Sequence, residues 1–586
     1  MRTTLKHLLF LAVGILGLGS ALAQLPPVFD ARDAARVRTS VLTRQFLTAQ
    51  RIVWTSGGET VVNAEAILKP GNGQADLNQG KYLNLVSKGD IRPGIILDFG
   101  REIQGGIEII ATISNKNPAG RVRIRFGESV SETMNDIGQS GATNDHAMRD
   151  FEVTLPWLGR LEVGNSGFRF ARIDLLDKDT KLEIKEISAI FQYRDIPYAG
   201  SFICSDEKLN RIWMTGAYTV HLNMQDYLWD GIKRDRLVWV GDMHPEVMTI
   251  NTVFGNNEVV PKSLDLARDL TPLPGWMNGI SSYSMWWVLI HRDWYRYHGD
   301  YTYLARQKDY MSRLLHHLAS KIDDNGREIL DGNRFLDWPS SENKEAIHAG
   351  LQAMMVMTFE AGLEISEILG DFITEDFCRT TVAKLRKHVP EMAGSKQAAA
   401  LLAMSGLITP EKANSEVLAR DGVHKMSTFY GYYMLTARAM AGDYQGALDN
   451  IREYWGGMLD LGATTFWEDF DIDWMKNAGR IDEIVPEGKT DVHCSYGGYC
   501  YEELRHSFCH GWASGPTSWL TRHVLGVQIV EPGARKIRIE PHLGDLQWAE
   551  GTFPTPYGVV KISHRKMADG KIKTSVQTPK KVKIVR

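Results

Sequence analysis

The sequence predicts three structural parts in series: an antiparallel β-sandwich over residues 24–200, a toroid of helical hairpins over 201–525, and a small β-sheet over 526–586. Three observations carry this expectation. Apolar residues alternate with period two before residue 200, shift to helical spacing near 205, and return to period two at Gly526. A chain of 586 residues is too long for one hydrophobic core. A content of 43% hydrophobic and 24% charged residues describes a globular chain, neither disordered nor collagen-like.

The N-terminus reads as a secretory signal. Arg2 and Lys6 precede an apolar run from Leu8 to Leu18, and Ala21-Leu22-Ala23 forms a small-x-small cleavage site before Gln24. The run is too short for a spanning helix, and the first cysteine is Cys204, so no lipid attachment point lies near the cleavage site. Export as a periplasmic or secreted protein without a membrane anchor is the expectation. In the sandwich, Ile107, Ile109, Ala111 and Ile113 alternate, as do Val122, Ile124 and Phe126, with Leu182, Ile184 and Ile187 continuing the pattern. Gly105-Gly106, Asn117-Pro118 and Gly164-Asn165 read as punctuation between strands. Ser205 is the expected N-cap of the first helix, whose apolar face is Leu209, Trp213, Ala217 and Val220. Further helical faces follow at Met311–Ile322, Leu351–Leu363 and Phe377–Leu385. Sequential helices joined by long Gly- and aromatic-rich loops suit a toroid whose loops line one end. From Val527-x-Ile529 onward strands return, and Lys580, Lys581 and Lys583 read as edge protection.

Charge excludes some partners. Lys and Arg number 67 against 71 Asp and Glu, a net −4, so nothing draws the chain to nucleic acid or an anionic membrane. Aromatics are abundant, with 16 Trp, 20 Tyr and 20 Phe; they either fill cores or offer flat faces to sugar C–H groups. Cys494, Cys500 and Cys509 lie near His493, His506 and His510, but the spacing fits no zinc ligand pair. No metal and no cofactor are therefore assigned. Small buried thiols and a Cys494–Cys500 bridge are the two readings left.

Four polar–aromatic clusters fall in loops of the helical part. The densest runs from Trp229 to Asp242 and sets Asp230, Asp235 and Asp242 among Lys233, Arg234, Arg236 and Trp239. It is either a structural ion-pair network or a site whose Asp235 carboxyl is tuned by its surroundings. The others are Gly462–Phe470 with Trp467 and Glu468, Phe335–Pro339 with Asp337 and Trp338, and His510–Pro516. Together they imply a carbohydrate cleft, since two carboxyls flanking a glycosidic bond are the minimum machinery for its hydrolysis.

The run Asp230–Asp242 resembles the Asp-x-x-x-Arg-Glu-x-x-x-Trp-x-Gly-Asp signature of the α-L-rhamnosidases of glycoside hydrolase family 78. Gly462-Ala463-Thr464-Thr465-Phe466-Trp467-Glu468 and His510-Gly511-Trp512 are similar to that family's later motifs, in the same order. Gly100–Gly106 and Gly167–Phe170 resemble its N-terminal sandwich, and Pro554–Gly558 its C-terminal sheet. The resemblance implies an (α/α)6 barrel and an inverting hydrolase. It places Asp235 at the general acid and Glu468 at the general base. Asp230, Arg234, Trp239, Asp242, Asp337, Trp338, Trp467 and His510 fall to sugar binding. The family's acid is usually Glu, one methylene longer than Asp235; a shifted register would make Asp230 or Asp242 the acid. The implied activity is release of terminal α-L-rhamnose from polysaccharides, oligosaccharides or glycosides. Alternatives are another terminal sugar on the same fold, or a non-catalytic carbohydrate-binding protein on a decayed hydrolase scaffold.

Overall fold

A computed structural model describes residues 38–77, 80–112 and 120–585. The signal segment, Ile113 and Asn117-Pro118 lie outside the described residues.

Nine strands between Leu42 and Arg194 form one hydrogen-bonded sheet. Its three long strands, Gly94–Ala111, Gly159–Leu175 and Lys181–Arg194, pair antiparallel. Register breaks at Asp98/Ile103 and Gly105/Ile107 interrupt the first of them, as bulges that bend a strand do. Gly105 is required there. Its φ is 146°, and a Cβ would sit 1.8 Å from the Ile190 carbonyl oxygen. Gly94–Ala111 is buried on both faces over most of its length, so its sequence loses the strict alternation of a half-exposed strand. Gly164 and Asn165, expected as a turn, lie inside the strand Gly159–Leu175.

The chain next forms the short strand Ser201–Cys204, which pairs with Trp548–Thr555 near the C-terminus. Asp206, not Ser205, caps the first helix, Glu207–Asn223: its carboxylate accepts from the Lys208 and Leu209 amides. The Ser205 hydroxyl instead accepts from the Gln547 amide, tying the helix start to the C-terminal segment.

Helices then alternate between two kinds. Met243–Val253 is buried at every position, and Lys396–Met404 and Gly431–Met440 at all but the last. A helix buried on every face belongs to the inner ring. Between them run helices with one buried stripe. Phe372–Leu385 buries only Thr374, Cys378, Thr381 and Leu385, a spacing of four, three and four. Val259–Asp269 and Tyr301–Ala319 have the same one-sided character. The inner series continues through Ser281–His298, Lys344–Leu369 and Gly515–His523. Each pair of one outer and one inner helix is a hairpin, and the alternation builds the double ring.

Beyond the last helix, Lys536–Ile539 is the central strand of a three-stranded sheet, antiparallel to Val527–Glu531 and parallel to Lys583–Val585, and Trp548–Thr555 pairs with Gly558–Lys566. Lys583 sits on the sheet's edge strand.

Buried charge locks the N-terminal sheet against the motif loop. Lys233 lies 3.1 Å from Glu128 and 3.3 Å from Glu132, two buried carboxyls contributed by the sheet side. Arg169 forks onto Asp98 at 2.8 and 2.9 Å and donates to the Gly462 carbonyl at 3.0 Å. The Gly167 amide donates to the Ile232 carbonyl at 2.9 Å; a Cβ on Gly167 would lie 2.6 Å from Ile232.

Candidate active site

A cavity of about 360 Å³ opens at one end of the helical ring. Asp230, Arg234, Asp235, Trp239, Asp242, Asn278, Asn333, Trp338, Glu468 and His510 are among the residues that line it. Nearly all of the lining comes from segments that lead from an outer helix to the next inner one. Tyr283 comes from the first turn of an inner helix, and His146 comes from the N-terminal sheet region.

The loop Trp229–Asp242 is held at its root. Asp230 accepts the Leu237 amide on Oδ1 at 2.9 Å, and its carbonyl accepts from Gly511 and Asn223. At its tip, Asp235 and Arg236 both adopt left-handed backbone, with φ 54° and 60°. Two consecutive non-glycine residues in that region cost on the order of 1–3 kcal/mol each. The turn directs Asp235 into the cavity and Arg236 outward, where it donates to Asn165 and lies over Trp229. The Trp239 indole N–H donates to Asp235 Oδ2 at 3.1 Å.

Glu468 is fixed through its backbone. Its amide donates to Ser507, and its carbonyl accepts from the Thr428 hydroxyl at 2.5 Å and the Trp512 indole at 2.8 Å. Its carboxylate contacts the Arg234 guanidinium directly. Arg234 also donates to the Cys500 carbonyl at 3.1 Å, and its Nε lies 4.0 Å from Asp235 Oδ1. One guanidinium therefore contacts Glu468 and stands within ion-pair reach of Asp235. Burial raises the Glu468 pKa, Arg234 opposes the rise, and the Asp235 charge adds to it.

His510 Nε2 stands 3.7 Å from Asp230, 3.8 Å from Asp242 and 3.7 Å from Glu468. Burial holds the imidazole well below its usual range, so it is neutral at pH 7. Burial also pushes Asp230 and Asp242 well above the usual carboxyl range; the neighbouring Asp235 charge adds to both, while the Tyr283 hydroxyl at 2.9 Å restrains Asp242. The pocket thus presents carboxyl, imidazole and hydroxyl groups that can meet sugar hydroxyls, with burial favouring the neutral form of Asp230 and Asp242. Asp230, Asp242 and His510 bring ligand atoms within 4.8 Å of one another, the one cavity-lining set compact enough for a cation among the described residues. At Glu128, Glu132 and His493 the Lys233 ammonium already pairs with both carboxyls, and the two ring nitrogens of His493 are taken by the Ser129 hydroxyl and the His506 carbonyl.

Eight of the ten residues singled out from sequence line the cavity: Asp230, Arg234, Asp235, Trp239, Asp242, Trp338, Glu468 and His510. Asp337 and Trp467 do not. Asp337 is a buried clamp whose carboxylate accepts from Ser340, Gln397 and Ser427 at 2.6–3.0 Å, so no acceptor is left for a sugar. Trp467 is fully buried and stacks on Phe508 at 4.1 Å, behind the wall. In each case the neighbour, Trp338 or Glu468, faces the cavity. Sequence reasoning missed His146, Asn278, Tyr283, Asn333 and Arg505. Only Arg505 had a signal, its place in the long Cys- and His-rich loop. All five cysteines are free thiols, Cys494 and Cys500 included.

Alternating outer and inner helices whose connecting segments converge on one carboxyl-lined hollow place the protein among the six-hairpin glycosidase folds. Residues 197–524 match the family profile described as bacterial alpha-L-rhamnosidase 6 hairpin glycosidase domain, and 526–585 match the bacterial alpha-L-rhamnosidase C-terminal domain. The chain belongs to the bacterial α-L-rhamnosidase family. It is 24% identical over 557 residues to an alpha-L-rhamnosidase of Alteromonas sp. (strain LOR), covering 86% of this chain and 57% of that protein. The fold is similar to the GH78 family rhamnosidase of Bacillus sp. GL1, with TM-score 0.73 and 23% identity, over 89% of this chain and 55% of that one. It is also similar to a rhamnosidase from Klebsiella oxytoca with rhamnose bound, with TM-score 0.64 and 18% identity, over 82% and 96%. The chain therefore spans little more than half the length of the Alteromonas and Bacillus proteins.

Proposed function

We propose that the protein is an exported inverting glycoside hydrolase that releases terminal α-L-rhamnose from polysaccharides, oligosaccharides or glycosides. It is read as a sandwich over 24–200, a catalytic barrel over 201–525 and a C-terminal sheet over 526–586. Among the described residues no helix is long and apolar enough to cross a membrane. The observation that carries the activity is the pair Asp235 and Glu468, both on one cavity and both in contact range of Arg234. Asp235 donates its proton to the leaving oxygen as the C–O bond breaks. Glu468 takes a proton from the water that attacks the anomeric carbon. Asp230, Asp242 and His510 receive sugar hydroxyls, and Trp239 and Trp338 offer aromatic surface to the ring.

The test is turnover of 4-nitrophenyl α-L-rhamnoside by wild type, Asp235→Asn and Glu468→Gln, with the first-formed anomer followed by NMR. Glu468→Gln is expected to lose activity by about 10²–10⁴-fold while still binding rhamnose. Binding without turnover in the wild type would instead leave a carbohydrate-binding protein. An α-anomer formed first would overturn inversion.

A further inference from the structure

The N-terminal sheet region does more than brace the motif loop: between the helix Val130–Met134 and the strand Asp150–Leu155 it sends a segment to the cavity mouth. The segment is pinned there from the helical part. Leu504 donates its amide to the Ser140 carbonyl at 2.9 Å, and Arg505 donates to Asp145 at 3.0 Å. A Cβ on Gly141 would lie 2.8 Å from the Glu502 carbonyl, so the approach is close. At its tip, His146 Nε2 stands 3.4 Å from Asp235 Oδ1. The imidazole side chain is 30% exposed and that of Asp235 20%, so the ring bridges solvent and the carboxyl.

The two oxygens of Asp235 are not equivalent. Oδ2 accepts from the Trp239 indole, so the proton of the acid form sits on Oδ1, the oxygen that faces His146. Arg505 has only donors, and its contact with His146 Nε2 at 3.2 Å places the lone pair of the neutral ring at Nε2. The charged groups facing the ring are Asp145 at 3.5 Å and Arg505 from the two pinned segments, and Asp235 with its neighbour Arg234 from the motif loop.

We infer that His146 is a positioning residue that holds Asp235 Oδ1 and returns a proton to it after each turnover. The inference rests on Asp235 being the acid. Once Asp235 has given its proton to the leaving oxygen it is a carboxylate. The Nε2 lone pair of the neutral ring takes a proton from solvent and passes it to Oδ1, which leaves the ring neutral again, while Glu468 releases the proton it took from water. Each cycle then consumes one water and leaves both carboxyls as they began. Imidazole is the side chain suited to such exchange near neutral pH.

The experiment compares two substrates and two variants. Methyl α-L-rhamnoside needs protonation of its leaving oxygen; 2,4-dinitrophenyl α-L-rhamnoside does not. His146→Gln is expected to lower kcat on the methyl glycoside about tenfold to a hundredfold with KM unchanged, and to leave the dinitrophenyl substrate near wild type. His146→Ala is expected to regain methyl-glycoside turnover when imidazole is added, with a rate that follows the neutral-to-charged titration of the added base. Equal loss on both substrates, no loss on either, or no rescue by imidazole would overturn the assignment. If Asp235→Asn does not show the same split between substrates, the acid assignment itself fails, a result separable from failure of His146 alone.

Discussion

Replacing Lys233 with Met tests how the two halves of the molecule are held. The Lys233 ammonium lies 3.1 Å from Glu128 and 3.3 Å from Glu132 and donates to the Leu504 and His506 carbonyls at 3.0 and 2.6 Å. Its side chain is 9% exposed and the carboxyls 0% and 1%. At an effective dielectric of 20, each ion pair is worth about 5 kcal/mol before the ammonium's desolvation is subtracted. Removing one partner of a buried cluster leaves a net loss of about 3–5 kcal/mol, or roughly 6–10 °C in Tm for a large domain. The loss has a pH signature. Burial raises the Glu128 pKa to about 7, with Lys233 the largest opposing influence. Between its ordinary value of 4.5 and about 7 the folded chain keeps a proton that the unfolded chain gives up, so stability falls as pH rises through that window. Without Lys233 the window extends to higher pH. The variant should match wild type most closely at pH 5, where Glu128 is protonated in both, and fall furthest behind at pH 8. Thermal melts at matched heating rates across that range read the difference. An equal loss at pH 5 and 8, or a loss under about 1 kcal/mol at pH 8, would refute the argument.

Arg234→Gln removes the cation that opposes the rise of Glu468; since the base must be ionised, the acidic limb of kcat/KM should move to higher pH by about one unit or more. A limb that stays in place would separate Arg234 from Glu468. Asp230→Asn keeps the acceptor for the Leu237 amide but removes a buried acid raised well above its ordinary 3.8. Above that value the unfolded chain sheds the proton while the folded chain holds it, so the native acid costs stability as pH rises; the variant should melt a few degrees higher at pH 8, match wild type near pH 3.5, and lose activity. Gly105→Ala drives a Cβ into the Ile190 carbonyl and should cost about 3 kcal/mol or more, seen as a lower Tm or lost soluble yield.

Much of this was legible in the chain. The switch of period near 205 and 526 reports how each element is buried, and burial follows from element type. The inner helices were harder, because a helix buried all round has no polar face to set its phase: Met243–Val253 carries His244, Glu246, Thr249 and Asn251 inside. Asp337 and Trp467 fall outside the cavity lining for a different reason. Each sits one residue from a cavity-lining neighbour, and in irregular backbone no period says which of two adjacent side chains faces inward. Ser205 is not the cap for a local reason: its hydroxyl accepts from the Gln547 amide, and Asp206 one position later takes the Lys208 and Leu209 amides. His146 had no signal at all. It is distant in sequence from every motif, and only the pinning of its segment by Leu504 and Arg505 brings it to Asp235.

The strand Ser201–Cys204 has a partner, Trp548–Thr555, that is synthesised far later; Ser201 and Thr552 are 351 positions apart. At about 5–20 residues per second the early strand waits roughly 20–70 s for its mate. During that wait the backbone of Ser201–Cys204 lacks its ladder partner, so a nascent chain, or one cut short before Trp548, carries an open, sticky edge beside the first helix. The ladder at the entry to the ring of hairpins is complete only when Trp548–Thr555 arrives, which makes that strand a closing clasp.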